Sequence, residues 1–286
     1  EKSGLIKTLK QDGLLVLNAD DEAVLEMKEK NKHRAITYGF KEGVDVLGSG
    51  DNILYSSENE PQGIILRVDI EGNSLPVIIE GAFGKNHVYA ALGALALSFG
   101  LKLNILEATN ALKNYDVPPG RMRLLQGIEG TLIIDDTYNS SPFACESALK
   151  TLGEIKNTGR KITVLGDMLE LGKHTVEAHK NIGKIARENA DVLVVVGHRA
   201  ENIKEGALEV YPSPGGQGMN KENIFEFLDS YKAGEFLKTF IKKDDLILVK
   251  GSQGMRMERA VEAILKDKED KNKLLVRQDA EWLDKK

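Results

Sequence analysis

An α/β fold, with a mainly parallel sheet in its second half, is what this sequence predicts, and three observations carry the prediction. From residue 131 onward, short apolar runs at 131–136, 162–166, 191–196 and 245–250 alternate with longer stretches of helical character at 142–157, 174–189, 199–209, 230–243 and 253–267. Such alternation builds βαβ units, whose crossovers make the strands parallel and cover both faces. The runs are continuous, as in Leu246-Ile247-Leu248-Val249, which is the pattern of a strand buried on both sides. Each ends in a cluster of polar residues, where open parallel sheets collect their ligands.

The first half is more mixed. Residues 4–10 read as a short helix, and Leu14–Leu17 as a buried strand ending in Asn18-Ala19-Asp20-Asp21. Asp20 or Asp21 can cap the helix expected at 22–30, which has acid in its first turn and Lys at its end. Ala35–Phe40 is a further strand. Residues 43–60, rich in Gly, Ser and Asn, read as a loop with a short strand inside. Runs 63–70 and 75–80 alternate as paired strands around Glu71-Gly72-Asn73-Ser74. A small-residue helix at 87–99 and another at 105–115 precede Tyr115–Gly120 (YDVPPG), the expected linker. In the second half, a weaker strand is expected near 223–228. Tyr211–Asn220 reads as a mobile Pro/Gly-rich loop, and Leu274–Val276 and Trp282 as the parts of a charged tail that dock.

Composition narrows the classes of function. A length of 286 residues suggests about two domains, and 41% hydrophobic with 29% charged residues is usual for a soluble globular chain. A net charge of −5 gives no electrostatic case for nucleic acid or an anionic membrane surface. The single cysteine, Cys145, excludes an internal disulfide and suits the cytoplasm. No apolar run has membrane-span length, the longest being Val88–Phe99. Glu1-Lys2-Ser3-Gly4 has no leader character and reads as the middle of a longer chain.

The polar strand ends are Asp135-Asp136-Thr137-Tyr138-Asn139, Gly166-Asp167-Met168-Leu169-Glu170, Gly197-His198-Arg199 and Lys250-Gly251-Ser252-Gln253-Gly254. In a parallel sheet all four share one rim, which would gather carboxylates, amides, a hydroxyl and two cations. Plainer readings stand beside this one. Asp135 or Asp167 can be a turn former, His198 a surface residue, Arg121 and Arg123 solvated linker charges, and Lys250 a snorkelling side chain. His174 and His179 are five apart on a helix and do not share a face as a metal pair would. No G-x-x-x-x-G-K-[ST] occurs, Gly81–Asn86 being the nearest approach, and no G-x-G-x-x-G.

With these residues assembled, the chain resembles the Mur ligase family of cell-wall peptide synthetases. Carrying the resemblance are GRMRLL at 120–125, IIDDTYN at 133–139, SP at 141–142, VLGDMLELG at 164–172 and VKGSQGMRMERAVE at 249–262. LNADDE at 17–22 and GAFGKNHVYAALGALAL at 81–97 add to it. Within the family, the nearest branch adds D-alanyl-D-alanine to UDP-N-acetylmuramoyl-tripeptide. The resemblance implies that residues 1–118 are the back part of a central ATPase domain and 119–286 a complete Rossmann-like C-terminal domain. The family's P-loop, metal-binding acids and modified lysine have no counterpart here. A fragment, engineered or natural, is therefore expected, inactive by itself.

The resemblance also implies a reaction and its residues. With ATP and Mg2+, a carboxylate becomes an acyl phosphate, which the amine of the dipeptide attacks. Arg121 would reach the ATP phosphates and Asp136 the ribose, with Asn86 and His87 on the adenine side. Here the order is Asn-His where the family reads His-Asn, and Ala90 stands where another Asn is usual. Asn139, Asp167, Met168 and Glu170 would face the incoming amine, and Ser252, Lys250 and Arg256 would line the cleft. Asp136→Ala or Arg121→Ala is expected to weaken ATP use with little loss of fold. A cytoplasmic monomer acting on small molecules is expected. The alternatives are a non-catalytic module of receiver type and a dinucleotide-binding Rossmann-like module.

Overall fold

The computed structural model describes residues 2–30, 32–209 and 219–284, without the side chains of Lys2 and Ser3. Most of the loop expected at 211–220 lies outside the described residues. The chain divides into two compact units, Glu1–Asp116 and Val117–Lys286. Among the described residues no helix is long and apolar enough to cross a membrane.

In the first unit a five-stranded sheet runs in sequence order: β1 (Leu14–Asn18), β2 (Arg34–Gly39), β3 (Val46–Tyr55), β4 (Pro61–Ile70) and β5 (Asn73–Glu80). β1, β2 and β3 are parallel, and β3, β4 and β5 antiparallel. Helices α1 (Glu22–Glu29), α2 (Lys85–Gly100) and α3 (Ile105–Ala111) complete it. Asp21, not Asp20, caps α1 by accepting from the Val24 N–H. The Asp20 carboxylate instead accepts from the Phe40 and Lys41 N–H groups and the Tyr89 hydroxyl, tying the ends of β1 and β2 to α2. That hydroxyl's pKa is pushed up to about 12, by burial first and then by Asp20.

One expectation fails here. Residues 46–55 form a ten-residue strand, not a loop around a short one. Its Gly, Ser and Asn are poor strand formers, but β4 supplies a ladder that continues past a register shift between Ser49 and Asn52. Gly48 is also needed for packing, since a Cβ there would come within 2.9 Å of Leu92 on α2.

The second unit holds β6 (Arg123–Gln126), β7 (Leu132–Asp136), β8 (Lys161–Gly166), β9 (Val192–Val196), β10 (Ile224–Phe227) and β11 (Leu246–Lys250). Their order is β10-β9-β8-β11-β7-β6, parallel throughout except for β6 against β7. β6 is not among the expected strands. Four residues carry too little periodicity, and its pairing, Arg123 opposite Asp135, is long-range. The longer helices are α4 (Pro142–Glu154), α5 (Thr175–Asn189), α6 (Glu201–Leu208), α7 (Ser230–Phe240) and α8 (Glu258–Ile264), followed by single turns at Lys271–Leu274 and Ala280–Leu283. α4 is set by Ser141, whose hydroxyl accepts from the Ala144 N–H, with Pro142 in the first turn. The single helix expected at 253–267 is broken. Gln253–Met255 is a 3-10 turn and Arg256 is left-handed (φ 51°) before α8 begins.

Helices α7 and α8 bury Leu237, Ala260, Val261 and Ile264 against Ile162, Val164, Val194 and Ile247 of the sheet. Alternate residues such as Leu193, Val195 and Leu248 are also buried, because α4, α5 and α6 cover the other face. α5 and α6 approach so closely that a Cβ on Gly183 would lie 1.9 Å from the Ile203 carbonyl oxygen. Gly183→Ala is therefore expected to cost about 1–3 kcal/mol or more, because backbone must shift. Thermal unfolding followed by circular dichroism checks this, and an unchanged midpoint would contradict the crossing geometry.

Candidate functional site

Because β7, β8, β9 and β11 are parallel, their C-terminal loops emerge on one rim, and side chains there stitch the loops together. Lys250, at the end of β11 and only 2% exposed, donates to Asp136 Oδ2 at 2.6 Å and to the Asn139 carbonyl at 2.8 Å. Asp136 Oδ1 accepts from the Met122 N–H. The Ser252 hydroxyl accepts from the Leu169 N–H at 2.8 Å and lies 3.4 Å from the Ser140 carbonyl, to which it donates. Asp167 Oδ1 accepts from the Ala200 N–H at 2.7 Å, joining the loops after β8 and β9.

Asp135 points away from Lys250. It is fully buried and accepts from the Gly120 N–H, the Thr137 N–H and the Thr137 hydroxyl. Burial outweighs those three donors and pushes its pKa up to about 6. Gly120 itself is required. Its φ is 66°, and a Cβ would lie 2.8 Å from the Tyr138 nitrogen, whose N–H donates to the Gly120 carbonyl.

This stitching sorts the sequence-derived site residues. Arg121, Asn139 and Glu170 are exposed on the rim. The Arg121 guanidinium lies 3.9 Å from the centre of the half-exposed Tyr138 ring, which holds a mobile cation in place by cation–π attraction. Asp136, Asp167, Lys250 and Ser252 are buried and engaged with the loops. The Met168 side chain is buried, and its N–H donates to His179 Nε2 at 3.0 Å. Arg256 is also buried, with Nε 2.5 Å from Glu258 Oε1. Asn86 and His87 belong to the first unit. Asn86 is exposed at the start of α2, whereas His87 is buried with Nδ1 3.1 Å from the Tyr115 hydroxyl.

Several residues that shape the site are not assigned to it from the sequence. His179 is completely buried. An N–H can only donate, so Nε2 accepts from Met168 and Nδ1–H donates to the Thr175 carbonyl. Burial lowers the His179 pKa and keeps the imidazole neutral, as this bonding requires. Glu258, Arg277 and Thr137 form a second buried cluster behind the loop after β7. Thr137 and Glu258 lie within the stretches 133–139 and 249–262 that carry the resemblance, but neither is assigned a role there, and no motif marks Arg277. Cys145 is buried, and burial pushes its thiol up to about 12, so it is an inert packing residue. His198, one of the residues given a plain reading, is exposed.

An exposed guanidinium over a phenol ring suits an anionic ligand such as a nucleotide. Among the described residues no three His, Cys, Asp or Glu side chains are grouped to hold a metal ion, so these residues by themselves do not fit magnesium.

Comparisons with known proteins add to this geometry. The Mur ligase middle domain matches residues 1–98, and the Mur ligase glutamate ligase domain matches residues 120–253. The UDP-N-acetylmuramoyl-tripeptide–D-alanyl-D-alanine ligase of Bacillus subtilis is 27% identical over 92% of this chain and 54% of its own length. The enzyme of the same name from Buchnera aphidicola is 32% identical over 66% of this chain and 38% of its own length. A crystal structure of MurF from Acinetobacter baumannii superimposes with a TM-score of 0.75 at 26% identity, covering 91% of this chain and 53% of that one. MurF from Thermotoga maritima, solved with ADP, has a TM-score of 0.73 at 24% identity over 94% of this chain and 57% of that one, which bears on the fold. The chain thus spans about half the length of the curated relatives it matches.

Proposed function

Because the chain belongs to the Mur ligase family, we propose that it is part of an ATP-dependent ligase that joins D-alanyl-D-alanine to UDP-N-acetylmuramoyl-tripeptide. In that reading residues 1–118 belong to the central ATP-binding domain, and 119–286 are the C-terminal domain. The observation that carries the reading is the single rim on which Arg121, Asn139 and Glu170 stand exposed above a stitched layer of Asp136, Lys250, Asp167 and Ser252. The matches to ligases of that name along most of the chain support it.

The proposed division of labour follows from exposure. ATP supplies the phosphoryl group that activates the substrate carboxylate. Arg121, steadied by Tyr138, neutralises phosphate charge, which a planar guanidinium does over two oxygens at once. Asp136 takes the ribose hydroxyls with whatever acceptor capacity Lys250 and Met122 leave it. Asn86 at the head of α2, with His87 behind it, serves the adenine side. Asn139 and Glu170 orient the incoming amine, and the backbone at Asp167 and Met168 shapes its pocket. Lys250, Ser252 and Arg256 set the shape of the cleft by holding its loops. Catalysis here is positioning and charge neutralisation. A cytoplasmic, monomeric enzyme acting on small molecules fits this proposal.

The 286 residues contain no G-x-x-x-x-G-K-[ST], so the polypeptide alone is expected to make no amide bond. The test pairs it with a P-loop-bearing amino-terminal half from a relative and measures ADP release that depends on D-alanyl-D-alanine. Arg121→Ala should lower kcat/KM for ATP roughly 10- to 100-fold, the worth of one charged hydrogen-bonding group. Unchanged kinetics would remove Arg121 from the site. Sustained ligation by the 286-residue chain alone would overturn the reading of it as a part.

A further inference from the structure

We propose that Arg277 is a positioning residue that clamps the site loop Thr137–Asn139, with the C-terminal segment 275–283 acting as the strap that delivers it. The consequence for ligation rests on the function proposed above, whereas the clamp itself does not.

The loop after β7 leaves the sheet carrying carbonyl groups that have lost their ladder partners. Arg277 supplies donors to two of them. Nη1 and Nη2 lie 3.2 and 3.1 Å from the Thr137 oxygen, and Nη2 lies 2.6 Å from the Tyr138 oxygen. The guanidinium is buried, and its charge is balanced by Glu258 Oε2 at 2.8 Å. Glu258, itself 1% exposed, uses its other oxygen to accept from Arg256 Nε. Arg256 Nη1 then donates to the Trp282 carbonyl at 2.8 Å, closing a circuit from the strap through α8 and back to the strap.

Three features separate this from a tail that simply sticks. First, Arg277 has φ 59°, a left-handed backbone that a side-chain-bearing residue adopts at a cost, and here it aims the guanidinium inward. Second, the strap has its own apolar anchor, since Leu275 is buried in the core cluster with Leu274 packed against it. Docking therefore does not need Arg277. Third, the clamped backbone carries Tyr138, whose ring supports Arg121 at 3.9 Å. Arg277 thus acts on Arg121 through Tyr138 and need touch no ligand.

The test is hydrogen exchange on the intact chain. In Arg277→Ala, amides of residues 136–141 should exchange at least about tenfold faster, while those of 192–196, 246–250 and 271–276 keep their protection. Millimolar guanidinium should restore protection to 136–141, and methylammonium at the same concentration should not. Arg277→Lys keeps the charge but cannot span two carbonyls and a carboxylate, so it should show an intermediate rate, and it serves as the readable variant if Arg277→Ala does not fold. Exchange at 136–141 within about twofold of the parent, or a rise shared equally by the core strands, would overturn the clamp. In the ligase assembled with its P-loop half, Arg277→Ala should lower kcat/KM for ATP about tenfold, and guanidinium should restore it. Faster exchange with unchanged ligation would uphold the clamp and overturn its link to the proposed reaction.

Discussion

Lys250→Ala is expected to destabilise the second unit by about 3–5 kcal/mol, the usual consequence of removing one partner of a buried ion pair. The Lys250 and Asp136 side chains are 2% and 11% exposed, with their charged atoms 2.6 Å apart. Deleting the ammonium strands a carboxylate that water barely reaches. It also takes the donor away from the Asn139 carbonyl. Asp136→Ala should cost a similar amount, which revises the expectation that it would leave the fold intact. That expectation took Asp136 for a free rim residue. Arg121→Ala, by contrast, should change stability by less than about 1 kcal/mol, since its guanidinium is exposed and contacts at a solvated surface, such as the one with the Tyr138 ring, contribute little. Urea unfolding of the three variants decides this. Equal, small effects would mean that the pair is solvated in solution. The double variant Lys250→Met with Asp136→Leu should recover much of the loss, because no unpaired charge remains.

The second large effect concerns pH. Asp135 has a folded-state pKa of about 6 against an ordinary 3.8. A group whose pKa is raised on folding binds its proton more tightly in the folded chain. Its contribution is therefore fully present below pH 3.8 and lost as pH rises through about 6. A shift of that size corresponds to about 3 kcal/mol. Asp135→Ala leaves the Gly120 N–H, the Thr137 N–H and the Thr137 hydroxyl without their acceptor, and so should destabilise the unit. That penalty should be larger near pH 4 than near pH 8, by about the same 3 kcal/mol. His179 works in the opposite sense. Its lowered pKa gives stability that is present above its unfolded value near 6.5 and lost as pH falls through the folded one. Denaturant titrations of the parent and Asp135→Ala across this range separate the two. A penalty independent of pH would show that Asp135 titrates normally.

Much of the architecture was legible in the residue order. β7, β8, β9 and β11 announce themselves as continuous apolar runs of Leu, Ile and Val, because a strand covered on both faces needs no alternation. Their parallel direction follows from the helices between them, and so does the common rim. The ordered motifs at 120–142, 164–172 and 249–262 carried the family. β3 and β6 were not legible, since Gly-Ser-Gly-Asp and Arg-Leu-Leu-Gln become strands only when β4 and β7 offer a ladder. Local propensity cannot report a partner lying elsewhere in the chain.

The same division holds at the site. That Asp136, Asp167, Lys250 and Ser252 would gather on one edge could be read from four strand endings, because topology alone sends those endings to one side. Which of them face water and which are consumed in holding the loops could not be read. Lys250 meets Asp136 across 114 residues, and Arg277 meets Thr137 across 140. Contacts at that separation leave no period, spacing or motif behind. They arise only when packing has excluded water and each buried charge has found its counterpart.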